Sequence, residues 1–145
     1  VIAIASGMAD GLGTGDNTRA AVITRGLAEL SRLGEAMGGN PLTFSGLAGM
    51  GDLMVTCISP QSRNRHVGEQ LGRGRSIDEV VAEMNMVAEG VKTAPVVLDI
   101  GAEFGIDVPI SSQVYAVCHQ GRPAAEAYEG LLRKGSGVEH PNLDF

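Results

Sequence analysis

The sequence predicts an all-α domain, and three observations carry that prediction. Apolar residues recur at steps of three and four through most of the chain. Several of these periodic stretches open with Pro and close with Gly, the usual asymmetry of helix ends. No alternation of strand with helix and no convincing hairpin breaks the pattern.

The opening run, "VIAIASGMADGLG", is too short for periodicity to separate a buried strand from a buried helix. A strand followed by Gly11, Gly13 and Gly15 would suggest a dinucleotide loop, but G-x-G-x-x-G needs Gly where Asp16 stands. A carboxylate there repels a pyrophosphate, so a helix followed by a Gly-rich turn is the better reading. Next, "DNTRAAVITRGLAELSRLGEAMGG" places Ile23, Leu27, Leu30, Gly34 and Met37 on one stripe, with Asp16 as N-cap and Gly38-Gly39 as stop. "NPLTFSGLAG" has Asn40 to cap and Pro41 at the first helical position. A short apolar segment, "DLMVTCI", then runs to the break at Ser59-Pro60, and Ser62 can cap a helix from Arg63 towards Leu71, ended by Gly72 and Gly74.

"SIDEVVAEM" carries a capping box, Ser76 with Glu79. In "VAEGVKTAPVVLDIGAEFG", Pro95 should not sit deep inside a helix, which makes Thr93 the expected cap of a helix reaching about Phe104. "PISSQVYAVCHQG" and "PAAEAYEGLLRKG" are the last two helices, and residues 135–145 are expected to form a loose tail.

Composition agrees with this class. The chain has 145 residues, enough for one domain with a real core, and 43% apolar against 19% charged residues makes it globular. Aromatics are only 3% and Trp is absent, so the core is aliphatic, which suits packed helices. The net charge of −6 argues against a general nucleic-acid or anionic-membrane surface. Cys57 and Cys118 are too few and too far apart for a disulfide framework or a zinc site, and fit a reduced, cytoplasmic compartment. No stretch is apolar for long enough to span a bilayer. The chain starts at Val1 inside an apolar run, as a piece of a longer protein would.

Candidate chemistry concentrates at "SRNRH", Ser62 to His66, where a hydroxyl, two guanidiniums, an amide and an imidazole open one helix. A helix capped by Ser62 offers free backbone N–H groups and the positive end of its dipole. Arg63 adds a planar fork for two phosphate oxygens, and Asn64 an amide donor. The competing reading is a solvated basic face, and composition does not decide between them. In "GLAGMGDL" the spacing favours tight helix packing by the glycines over backbone approach to a ligand, and Asp52 reads as a helix cap in preference to a functional carboxylate. Cys57 with His66 has nothing to orient it as a nucleophile–base pair, and no residues stand at metal-ligand spacing.

Taken in order, "VIAIASGMADGLGTGDNTRAAVITRGLAE", "GLAGMGDLMVTC", "SRNR", "VAEGVKTA" and "VPI" resemble the C-terminal domain of bacterial-type NAD(P)-dependent glycerol-3-phosphate dehydrogenases, over residues 1–134. The resemblance implies a multi-helix substrate domain of the 6-phosphogluconate dehydrogenase-like kind, behind an N-terminal dinucleotide-binding domain. It implies reversible hydride transfer between sn-glycerol 3-phosphate and dihydroxyacetone phosphate with NAD or NADP, feeding phospholipid synthesis, and a homodimer fits the Gly-rich apolar surface. By the same resemblance Ser62, Arg63 and Asn64 take the substrate phosphate, Arg63 is shared with the cofactor, and Val87 and Glu89 contact the cofactor. Thr56 stands at the same mouth, one turn beyond Asp52. Asp52 accepts from a substrate hydroxyl or holds a catalytic ammonium, since like charges keep it from the phosphate. The family's proton-transferring Lys, in a Lys-Asn pair, stands just before the segment that begins here at Val1. Without it and the nucleotide half, this polypeptide alone is expected to be inactive.

Two other classes compete with this reading. A related hydroxyacid dehydrogenase would bind a carboxylate, for which the donor density at Ser62–Asn64 is excessive. A non-catalytic nucleic-acid module would use Arg63, Arg65 and His66 against the acidic balance of the chain.

Overall fold

The computed structural model describes residues 1–84, 86 and 88–133, and among these every regular element is a helix. In chain order they are α1 (Ile2–Gly11), α2 (Asp16–Ala36), α3 (Pro41–Ser45), a π-helical turn (Leu47–Gly51), α4 (Asp52–Ile58), α5 (Arg63–Gly72), α6 (Ile77–Glu83), α7 (Glu89–Phe104), α8 (Pro109–Gln120) and α9 (Ala124–Arg133). The expected all-α class is what the chain adopts. The expected loose tail, 135–145, lies outside the described residues.

The ambiguous opening run is helical. Every residue from Ile2 to Ala9 is buried, so α1 is apolar all round and forms the axis against which α2, α4, α5 and α8 pack. Two polar ties fix it further: Ser6 Oγ donates to the Cys57 carbonyl at the end of α4 (3.3 Å), and Tyr128 of α9 donates to the Ala5 carbonyl (3.1 Å).

The closest packing is between α1 and α5, and glycines make it possible. Gly7 and Gly11 face α5, while Gly68 and Gly72 face α1, each pair four residues apart. A Cβ on Gly7 would overlap the Arg65 carbonyl, and one on Gly68 would overlap the Ile4 carbonyl. Backbone lies against backbone, with no side chain between to yield.

Local helix signals in the sequence hold where their partners are near in sequence. Asn40 accepts from Leu42 N (3.0 Å); Ser62 accepts from Arg65 N (3.2 Å); Ser76 and Glu79 form the full capping box. Gly105 and Gly121 close α7 and α8 in the left-handed conformation that only glycine adopts at little cost.

Four expectations need correction. Asp16 is the first residue of α2 and pairs with Arg19, while Gly15 is the N-cap. Within α2 the buried residues are Val22, Ile23, Gly26, Glu29 and Leu33, and Leu30 and Met37 are exposed. Here Glu29 takes an inward position because its carboxylate caps α8: it accepts from Ile110 N (2.8 Å), Ser111 N (3.1 Å) and Ser111 Oγ. Burial pushes the Glu29 carboxyl above its ordinary range, against the pull of those donors and of Arg32. Third, the segment after Asn40 is helical only to Ser45 before the π-turn intervenes. Fourth, α7 runs through Pro95, and Thr93 lies inside it, donating to the Glu89 carbonyl (2.9 Å) instead of capping.

Two measurements test this packing. Gly68→Ala should cost about 1–3 kcal/mol in urea unfolding, because only backbone could move aside. Gly130→Ala, where an added Cβ meets nothing nearer than 3.9 Å, should be neutral or slightly stabilising; equal losses at both positions would contradict the close-contact account. Cys57 and Cys118 are free, and burial raises each thiol to about 11. At pH 8 only about one thiol in a thousand would be ionised. Alkylation should therefore wait for unfolding, and rapid labelling of the native protein would contradict the burial.

Candidate functional site

The residues from Ser59 to Asn64 turn the chain from α4 into α5, and they open a cleft of about 320 Å³. Its lining includes Thr56 from α4, Ser62, Arg63 and Asn64 from the start of α5, and Glu89 from the start of α7. Three helices that are separate in sequence thus bring five of the candidate residues to one place.

Each reaches the cleft for a local reason. Ser62 has extended backbone angles (φ −68°, ψ 113°) and its side chain satisfies Arg65 N, so α5 starts at Arg63. The first N–H groups of the helix, on Arg63 and Asn64, have no intrahelical acceptor. Arg63 is exposed at this tip. Asn64 is half-buried, and its Oδ1 accepts from Gly90 N at 2.8 Å, tying α5 to α7. A Cβ on Gly90 would come within 2.6 Å of that oxygen and 2.9 Å of the Val1 nitrogen, so the starts of α1, α5 and α7 meet at a point with room only for glycine. Glu89, the first residue of α7, is exposed on the cleft wall. Thr56 Oγ1 donates to the Asp52 carbonyl (2.8 Å), one turn back along α4.

The two guanidiniums of "SRNRH" have different fates. Arg65 points the other way, its Nη2 2.7 Å from Asp10 Oδ2 on α1, with Arg19 on the other oxygen of that carboxylate at 3.0 Å. Arg65 keeps only 17% of its side chain exposed. Arg63 is the guanidinium left at the cleft. This removes Arg65 from the basic face that a nucleic-acid reading requires.

Asp52 is exposed as the first residue of α4, makes no side-chain cap, and lies outside the lining of the cleft. The capping reading of Asp52 is therefore overturned: the π-turn leads directly into α4, and Gly51 precedes it with helical angles (φ −61°, ψ −49°). Within "GLAGMGDL" the tight-packing reading holds for Gly49, where a Cβ would overlap the Phe44 backbone. Val87 lies outside the described residues. Cys57 is fully buried and so offers no nucleophile to the exposed His66. Among the described residues no three His, Cys, Asp or Glu are grouped to hold a metal ion, and no helix is long and apolar enough to cross a membrane.

A larger cavity, about 540 Å³, lies between the end of α5, the start of α6 and the α8–α9 junction. Its cations are already engaged: Arg75 pairs with Glu83, and Arg122 donates to Gln113 (2.9 Å). Size alone does not make it the site. The smaller cleft has the exposed guanidinium and the open helix terminus.

Comparison with known proteins identifies the family of the chain. The chain is 59% identical over 142 residues to glycerol-3-phosphate dehydrogenase (NAD(P)+) 2 of Sphingopyxis alaskensis, covering 97% of this chain and 43% of that protein. It is 56% identical over 134 residues to glycerol-3-phosphate dehydrogenase (NAD(P)+) of Prosthecochloris aestuarii, covering 92% of this chain and 40% of the relative. A crystal structure of glycerol-3-phosphate dehydrogenase from Coxiella burnetii superimposes with a TM-score of 0.88 at 40% identity, over 92% of this chain and 41% of that one. The chain thus spans about two fifths of the length of the relatives it matches. Residues 1–129 match the family described as the NAD-dependent glycerol-3-phosphate dehydrogenase C-terminus, and the chain belongs to that family.

Proposed function

We propose that residues 1–134 form the substrate-binding half of a glycerol-3-phosphate dehydrogenase, and that the cleft at the start of α5 receives the phosphate end of sn-glycerol 3-phosphate or dihydroxyacetone phosphate. The observation that carries this reading is the convergence of Thr56, Ser62, Arg63, Asn64 and Glu89 on one cleft beside an open helix N-terminus. A phosphate ester there meets the N–H groups of Arg63 and Asn64, the Arg63 fork and the remaining amide donor of Asn64. These are contacts at about 3 Å, and they outweigh a diffuse net charge of −6 that salt screens beyond about 8–10 Å.

The residues also fit the edge of a nicotinamide cofactor, NAD or NADP, held mainly by a dinucleotide-binding half. Glu89 presents an exposed carboxylate to the same cleft, suited to accept from ribose or amide donors, and Arg63, exposed in that cleft, would be shared between the two ligands. When bound, the cofactor would supply or take the hydride at C2 of the substrate. On this reading Asp52, one turn before Thr56 on α4 and outside the cleft lining, would accept from a substrate hydroxyl or hold the ammonium of the family's Lys. In the family that Lys stands just before the segment that begins here at Val1, and the Val1 nitrogen sits at the Asn64–Gly90 junction, so a residue at that place would arrive beside the cleft.

Exposed aliphatic residues on three consecutive elements support a dinucleotide-binding half as neighbour. Leu42 (79% exposed), Leu47 (90%) and Val55 (66%) lie on α3, the π-turn and α4, the elements leading into the cleft. Proteins seldom leave so much aliphatic surface uncovered. A cytoplasmic location and a place in phospholipid synthesis complete the proposal, supported by two buried free thiols and by the chemistry of the substrate.

In the full-length enzyme, Arg63→Ala should raise KM for the phosphorylated substrate about thirtyfold, or about 2 kcal/mol. Unchanged kinetics would refute the phosphate role, and equal saturation by a simple hydroxy acid would favour the non-phosphorylated alternative. Glu89→Ala should weaken the cofactor more than the substrate; an effect confined to the substrate would remove Glu89 from the cofactor side.

A further inference from the structure

Helix α7 stays helical across Pro95, which has no N–H to give the carbonyl four residues earlier. That carbonyl belongs to Val91. It is not left without a partner, because His119 of α8 places Nε2 2.7 Å from it. A carbonyl can only accept, so His119 carries its proton on Nε2. The ring is held in turn by Tyr115, one turn earlier on α8, with centroids 5.1 Å apart and planes 23° apart.

Val91 belongs to the turn that matters. Glu89, on the cleft wall, and Gly90, whose N–H is fixed by Asn64, are the two residues before it. This turn is gripped from two sides, by Asn64 of α5 at Gly90 and by His119 of α8 at Val91. Interior helical turns are ordinarily held by their own ladder. Here Pro95 deletes one rung, and the replacement comes from another helix.

We propose that His119 is a positioning residue for the cleft: it supplies the hydrogen bond that Pro95 removes from Val91, and so holds the first turn of α7 with Glu89 at its working place. The inference rests on the reading of Glu89 as a cofactor contact, while the bond itself is independent of it. Tyr115 keeps the imidazole facing Val91, and α8 is anchored in turn by Glu29 at its N-terminus.

The test uses the full-length enzyme and a second substitution that returns the missing rung. His119→Ala should raise the cofactor KM about three- to tenfold with kcat within twofold, the size expected from losing one neutral hydrogen bond. His119→Gln, which keeps a side-chain N–H, should recover part of the loss. Pro95→Ala restores an N–H at residue 95, and in that background removing His119 should change the cofactor KM less than twofold. Amide hydrogen exchange at Gly90 and Val91 should follow the same order: faster in His119→Ala, slow again in the double variant. Should His119→Ala fail to fold, the glutamine variant and the double variant carry the comparison. A cofactor KM and exchange rates untouched by His119→Ala overturn the proposal, as does an equal effect of His119→Ala in both backgrounds. If Glu89→Ala leaves the cofactor KM unchanged, the role of Glu89 fails, and the exchange rates alone then decide for or against the brace.

Discussion

The bare contact between α1 and α5 is the constraint on which the rest depends. Gly7, Gly11, Gly68 and Gly72 remove every side chain from the crossing, so peptide planes meet peptide planes. Such a contact has no rotamers to exchange and no soft atoms to compress. It sets how far α5 sits from the buried axis, and with it the position of Ser62, Arg63 and Asn64 at the tip of α5. An anion held by N–H groups and a guanidinium needs donors placed to within a few tenths of an ångström. A rigid seat for α5 would provide that at the proposed anion site, with Asn64 adding its tie to α7.

The same crossing sorts the charges. Arg65 lies one residue beyond the site and on the α1 side of α5, where Asp10 meets it at 2.7 Å; Asp10 also holds Arg19 and keeps only 16% of its side chain exposed. Arg63 sits on the other side of the helix, exposed and lining the cleft. Two chemically identical side chains two positions apart therefore have unlike tasks, one closing a partly buried ion pair and one free to meet an anion. The proposed anion site is compatible with an acidic protein because the sorting is local, set by which face of α5 each residue occupies.

How legible this was depended on the distance between partners. Ser62 with Arg65 and Ser76 with Glu79 are three residues apart, and their caps could be read directly. Glu29 finds its donors 81 and 82 residues away, and nothing in "AELSRL" marks it as inward-facing. Pro95 misled for the same reason: the rule against an interior proline assumes an unpaired carbonyl, and His119, which pairs Val91, is 28 residues from it. Leu30 and Met37 were expected inside because an apolar residue on a stripe ordinarily is; the inward stripe of α2 instead uses Gly26 and Glu29, one for close approach and one as a cap. The paired glycines of α1 and α5 were visible as letters, but their meaning required knowing that the two helices cross.

Asn64 shows why the cleft works as one unit and not as a set of neighbours. Its Oδ1 is spent on Gly90 N, which fixes the amide plane and leaves the NH₂ as the end able to donate. An aspartate could hold Gly90 equally well, but it would bring a negative charge beside both Glu89 and any bound phosphate. A leucine would fill the space and leave Gly90 N buried without an acceptor. The amide accepts from α7 with one atom and can donate outward with the other. The residue proposed to bind the substrate thus also seats the turn that carries Glu89, so on the proposed reading displacement of either helix would reach both ligands.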